Sequence, residues 1–212
     1  MKTIEIFGED KYPEYTKVRE GCRGILIRGG KILLSYYEKI NYYLIPGGGI
    51  ESGESLEECC ARELREECGI KVNLHTHLVT LEEYYHEWYF KSHYFLCGYL
   101  GECESKMTEN EIKKGLVPVW VDFDRALEIF GSYEEYKDTD EMQYGAYYRE
   151  YIALSELKNC DRLICHSFLF NLLFCPCHQT FSYKASAFRH SSYCRSSYES
   201  FRLQAGSQRD TS

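Results

Sequence analysis

The sequence is short of basic residues and proline, and it has no long apolar run. Lys and Arg number 25 against 33 Asp and Glu, a formal net charge of −8. That balance argues against nucleic-acid binding by counterion release, although a divalent cation can reverse the local sign for a nucleotide ligand. With 4 prolines, 44% hydrophobic and 27% charged residues, the chain is neither collagen-like nor low-complexity nor wholly disordered, and a packed core is expected. The roughly 20 continuous apolar residues of a membrane span are missing. The longest apolar stretch, residues 163–174, is interrupted by His166, Ser167 and Asn171. Met1-Lys2-Thr3-Ile4-Glu5 leads into mixed polar sequence without an apolar signal region, so a cytoplasmic location is expected.

Cysteine, by contrast, is plentiful at 11 positions. The number is odd, the chain is long for a disulfide scaffold, and no C-x2-C pair occurs among Cys22, Cys59, Cys60, Cys68, Cys97 and Cys103. Reduced thiols are therefore expected. The 212 residues suit one domain with an appendage. Composition changes after Lys158: the net charge is −11 up to that residue and +3 beyond it. This predicts a domain over 1–158 and a weakly ordered Ser/Tyr/Cys-rich tail over 159–212. In the tail Cys160, Cys165, His166, Cys175, Cys177 and His178 invite a zinc reading, but their spacing fits no regular pairing.

Strand signals dominate the domain. Gly24 to Ile27 and Lys31 to Tyr36 flank a Gly29-Gly30 hairpin turn. Further strands are expected at Tyr42 to Ile45, Val72 to Thr80, Tyr84 to Phe90, His93 to Leu100 and Val117 to Val121. Helices are expected at Arg125 to Phe130 and Tyr144 to Leu157. This order predicts an α/β fold, a mixed sheet with helices packed on its faces.

The most informative segment runs from Gly47 to Ile70. Ser55 and Glu58 form an S-x-x-E capping box that starts a helix at Leu56, and Gly69 ends it. Leu56, Cys60, Ala61, Leu64 and Cys68 make its apolar stripe. Glu63, Glu66 and Glu67 fall within an arc of about 100°. Carboxylates so close repel, and those near the helix C-terminus oppose the macrodipole, so a cation relieves them; hard oxygen donors select Mg²⁺ or Mn²⁺ over zinc. An acidic face neutralised in solvent by Arg62 and Arg65 is the commoner origin of such a pattern, and it is the glycine loop ahead of the helix that shifts the reading.

The run fits G-x5-E-x7-R-E-U-x-E-E-x-G-U, with U a bulky aliphatic, at Gly48, Glu54, Arg62, Glu63, Leu64, Glu66, Glu67, Gly69 and Ile70. The chain thereby resembles the Nudix hydrolases. The resemblance implies a Nudix-like α/β/α sandwich and a Mg²⁺-dependent pyrophosphohydrolase, with Mn²⁺ able to substitute. Its substrate would be a small nucleotide, a nucleoside diphosphate linked to another moiety. ADP-ribose or nucleotide sugars are favoured slightly over oxidised nucleoside triphosphates and dinucleoside polyphosphates. By position, Glu66 and Glu67 would ligate metal with the Gly48 carbonyl, and Glu63 would be a further ligand or the base. Arg62 would orient a glutamate, and Glu54 would support the loop or the metal shell. Glu109 and Glu111 are alternative bases from a later loop, with a solvated loop charge the commoner reading of each. The rival is a Nudix-fold module that senses a nucleotide without cleaving it, and a second copy of the chain is the one candidate protein partner.

Other residues carry weaker signals. Arg23 could reach a phosphate, although a surface-exposed strand arginine is the favoured reading. Tyr84 and Tyr85 offer rings for a base, although strand tyrosines are commonly packing residues. His75 and His77 share a face if extended, but with no third ligand in view exposed strand histidines are favoured.

Overall fold

The computed structural model describes residues 2–7, 14–85 and 88–163, with side chains up to Cys160. The tail from residue 164, with most of its cysteines and histidines, lies outside the described residues. Strands β1 (Thr3–Ile6), β2 (Lys17–Arg28), β3 (Lys31–Tyr37), β4 (Tyr42–Leu44) and β5 (Gly47–Gly49) precede helix α1 (Leu56–Cys68). Then come β6 (Ile70–Tyr85), β7 (Trp88–Glu102), α2 (Glu109–Lys114), β8 (Leu116–Asp122), α3 (Phe123–Gly131) and α4 (Glu141–Leu163).

The sheet is mixed, as expected. β1 lies parallel to β6, β6 antiparallel to β7, and β7 parallel to β2. β2 also pairs antiparallel with β5, and at its C-terminal end with β3, on which β4 and β8 pair. Two strand assignments change. The expected single strand from Tyr84 to Phe90 does not exist: Tyr85 ends β6 and Trp88 begins β7, and both strand ends are rich in aromatic residues. Conversely, the three glycines read as a loop form β5, which the backbone alone supports through β2.

Alternation places a core on each sheet face. Cys22, Leu26, Leu33, Phe95 and Cys97 face α1, meeting Cys60, Leu64 and Cys68. Ile25, Ile32, Leu34, Tyr94 and Leu96 face α3 and α4, meeting Phe130, Tyr147, Leu154 and Leu157. The result is the α/β/α sandwich. Truncating a fully buried residue such as Leu64 to Ala would cost about 2–5 kcal/mol. The described cysteines are free thiols. α4 continues to Leu163, past the compositional change at Lys158, and no helix among the described residues is long and apolar enough to cross a membrane.

Candidate active site

The local signals of α1 hold. Ser55 Oγ accepts the Glu58 N–H at 3.2 Å while Glu58 Oε2 accepts the Ser55 N–H at 2.9 Å. Gly69 caps the far end in the left-handed region, its N–H reaching the Arg65 and Leu64 carbonyls. Cys60, Leu64 and Cys68 are buried as expected, and Leu56 and Ala61 half-buried. Glu63 and Glu67 are buried too, so the acidic arc is not a solvated face.

Arg62 ties the loop to this helix. Its Nε and Nη2 donate to the two oxygens of Glu54 at 2.8 and 2.9 Å, a bidentate pair. Nη1 donates to Glu63 Oε1 at 2.8 Å and Glu66 Oε2 at 3.2 Å, and Nη2 also donates to the Gly49 carbonyl at 3.0 Å. The Arg62 hydrogen bond holds the Glu54 carboxyl below its ordinary range. Glu54 Oε2 in turn accepts the Glu51 N–H at 3.1 Å, which braces the loop.

Glu67 lies deeper. Its Oε2 accepts the Ser35 hydroxyl at 2.7 Å and the Gly47 N–H at 3.3 Å. Burial, reinforced by the charges of Glu63 and Glu111, pushes its carboxyl up to about 7. Burial also raises Glu63, while Arg62 opposes the shift. Gly48 packs on the Glu63 carboxylate so closely that a Cβ there would collide with it. This contact brings the glycine strand and the acidic helix together.

These residues border a cleft of about 1140 Å³ whose lining includes Gly48, Glu63, Glu67 and Glu111. Arg19 and Arg23 of β2 also line it. Arg23 is therefore not the exposed strand residue its sequence context favoured: its side chain is 15% exposed, and Nη1 donates to the Ile45 carbonyl at 2.8 Å. Its Nε lies 3.4 Å from Glu150 on α4, within a buried network that sequence reading missed. There Arg149 reaches Glu83 at 3.1 Å and Glu150 at 3.2 Å, and its Nε donates to the Tyr94 hydroxyl, which donates to Glu150 at 3.0 Å. Two guanidinium groups offset two carboxylates, as burial of charge demands. The pairing joins β2, β6, β7 and α4, so no local pattern announced it.

Glu111 and Glu109 separate. Instead of a loop, both start α2, where Thr108 and Glu111 form a second capping box. Glu111 lines the cleft, with Oε2 accepting the Thr108 N–H at 2.7 Å, whereas Glu109 is exposed and not part of the lining. Tyr85 lines the cleft and donates to Glu83 at 3.1 Å, and Tyr84 is buried, bonded to Glu5 and Glu82. A bulge at His75 spoils the expected shared face with His77, which instead stacks on Phe95 at 4.6 Å. His75 is exposed as favoured, whereas His77 is half-buried.

Among the described residues, no three His, Cys, Asp or Glu groups converge as ligands around one point. Arg62 engages Glu63 and Glu66, and Ser35 engages Glu67. The donor chemistry nevertheless fits a hard divalent cation, since the carboxylates and the Gly48 carbonyl are all oxygen donors.

The NUDIX domain, as a family model, matches residues 19–141, and the chain belongs to that family of pyrophosphate-bond hydrolases, which generally use a divalent metal, typically Mg²⁺. Among solved structures it is similar to an ADP compounds hydrolase, with 20% identity, a TM-score of 0.50, and coverage of 72% of this chain and 76% of that one. It is also similar to the ORF135 protein of E. coli, with 24% identity and a TM-score of 0.42 over 53% of this chain and 79% of that one. An ADP-ribose pyrophosphatase from Streptococcus suis matches at 19% identity and a TM-score of 0.38, over 50% and 75%. At 20% identity the likeness to the ADP compounds hydrolase is one of fold.

Proposed function

We propose that the chain cleaves a nucleoside diphosphate joined to a second moiety, of ADP-ribose or nucleotide-sugar type, with Mg²⁺ bound by Glu63, Glu66, Glu67 and the Gly48 carbonyl. The observation that carries this reading is the buried pair Glu63 and Glu67 in a cleft that also holds Arg19 and Arg23. Burial makes ionising both carboxylates costly, and a dication beside them offsets that cost. When bound, the cation supplies charge neutralisation for the diphosphate and activates the attacking water.

The remaining roles fall to this chain's side chains. Arg23, braced by Ile45 and Glu150, presents positive charge to a phosphate oxygen. Glu111, which lines the cleft while Glu109 stands outside it, takes the proton of the attacking water. Arg62 holds Glu63 and Glu66 in place through its fork to Glu54. Thr108, Asn110 and Lys114 of the α2 end offer polar contacts to the second moiety, which is why a sugar-like group is favoured. The sequence keeps Glu54, Arg62, Glu63, Glu66 and Glu67 of the box, which supports cleavage over a sensing module.

The test is product analysis by mass spectrometry in ¹⁸O-labelled water, with the parent protein and Glu67→Gln incubated with Mg²⁺ and a nucleotide panel. Label in one product from the parent alone is the expected result and identifies the phosphorus attacked. No turnover of any panel member by the parent overturns the proposal.

A further inference from the structure

Arg23 and Arg149 both line the cleft and share the Glu150 carboxylate, yet they are held differently. Every guanidinium nitrogen of Arg149 has a protein acceptor: Nε the Tyr94 hydroxyl, Nη1 Glu83 and Nη2 Glu150. Arg149 is therefore fully occupied in holding α4 to β6 and β7. Arg23 directs Nη1 to the Ile45 carbonyl and Nε to Glu150, and Nη2 alone has no protein acceptor among the described residues. Among those residues every buried side-chain nitrogen or oxygen has a hydrogen-bond partner, so Nη2 is reached from outside, through the cleft that Arg23 lines. It is a donor with no acceptor until a ligand enters.

The position of that donor follows from the sheet. Arg23 stands opposite Gly47 of β5 and Tyr94 of β7. The Gly47 N–H is the one that Glu67 accepts, and the positive charge of Arg23 opposes the rise of the Glu67 carboxyl. The open edge of Arg23 thus belongs to the row that meets the deepest carboxylate.

Glu150 fixes which edge is open. Its side chain is wholly buried, with Oε1 at 3.4 Å from Arg23 Nε and 3.2 Å from Arg149 Nη2, while Oε2 accepts the Tyr94 hydroxyl at 3.0 Å. Held on its other sides by Arg149 and Tyr94, the carboxylate is a fixed anchor against which Arg23 is set. Without its charge, two guanidinium groups would face the single carboxylate of Glu83 in a low-dielectric interior. Arg23, left with only the Ile45 carbonyl and bordering the cleft, is the one of the two able to turn away.

We propose that Glu150, which does not touch substrate, is the positioning residue of the diphosphate site: it turns the Arg23 guanidinium so that Nη2 alone meets a phosphate oxygen. Arg149 and Tyr94 hold Glu150 in place, so the two cleft arginines divide into one that reads the ligand and one that supports the reader. This rests on reading the cleft as a nucleoside diphosphate site.

The test is equilibrium titration with inorganic pyrophosphate and with ADP in the presence of Mg²⁺, using the parent, Arg23→Gln, Glu150→Gln and the double variant. Loss of one charge-assisted contact predicts about 10- to 150-fold weaker binding of both probes by each single variant, and the same loss rather than the product of the two in the double variant. Chemical rescue removes any dependence on how well Glu150→Gln folds. Millimolar guanidinium should restore pyrophosphate binding to Arg23→Ala, where Glu150 can still seat the ion, and not to Arg23→Ala combined with Glu150→Gln, in which Arg149 and Glu83 still balance. Unchanged binding by Glu150→Gln, multiplied losses in the double variant, or equal rescue of both alanine variants overturns the positioning role and leaves the diphosphate reading intact. Failure of the parent to bind either probe overturns both.

Discussion

Ser35 on β3 donates its hydroxyl to Glu67 Oε2 at 2.7 Å, joining residues 32 positions apart. The bond stabilises the ionised carboxylate, while burial, the larger influence, favours the protonated one. One neutral side chain on a neighbouring strand thus tunes the deepest carboxyl of α1.

Ser35→Ala removes that donor. Hydrogen bonds to charged groups contribute about 1.5–3 kcal/mol, so the acidic limb of the rate profile should move to higher pH by about one to two pH units. Measurement of kcat/KM from pH 5 to 9 checks this, and an unmoved limb would show that the hydroxyl does not tune Glu67.

Glu67 also makes stability depend on pH. A carboxyl raised in the folded state favours folding while protonated, and that contribution is lost as pH rises from about 4.5 through about 7. Without divalent ions, the parent should therefore lose Tm relative to Glu67→Gln between pH 5 and pH 8. Added Mg²⁺ should restore part of the loss to the parent alone. Parallel thermal profiles for the two proteins would count against the buried ionisation.

Glu111→Gln keeps an S/T-x-x-Q capping box, so α2 remains capped. A fall in kcat of about 100-fold or more with Tm nearly unchanged is expected, whereas Glu109→Gln should leave kcat within twofold of the parent. If Glu111→Gln retains full turnover while Glu63→Gln does not, the base is Glu63.

Gly48→Ala places a methyl group against the Glu63 carboxylate. Overpacking of this kind costs about 1–3 kcal/mol, and displacement of Glu63 should lower kcat as well. Urea unfolding and turnover assays read the two effects separately. A variant of unchanged stability and rate would mean that the glycine strand has room to yield.

Where short-range interactions dominate, the sequence was readable. Gly29 and Gly30 adopt φ of 57° and 78° in the hairpin turn, as two adjacent glycines between apolar runs predict. The box at Ser55 and Glu58 and the cap at Gly69 lie where their spacing puts them. Reading failed where a pattern was ambiguous or a partner was distant. Tyr84 to Phe90 is aromatic enough to read as one strand although β6 ends and β7 begins within it, and Gly47 to Gly49 carries no side-chain signal for the strand it forms. Arg23 looked solvent-facing because its buried partner Glu150 lies 127 residues further along the chain.

The sequence by itself determined the family, the start and stop of the acidic helix, and the clustering of Glu63, Glu66 and Glu67, because these depend on contacts three or four residues apart. Only the tertiary structure decided which carboxylates are buried, that Arg62 holds Glu63 and Ser35 holds Glu67, and that Glu111 and not Glu109 joins the cleft. It also decided that Glu150 is shared by Arg23 and Arg149. Parallel pairing of β2 with β7, and the packing of β5 against α1, bring distant residues into one low-dielectric cleft, and burial there gives each charge its role.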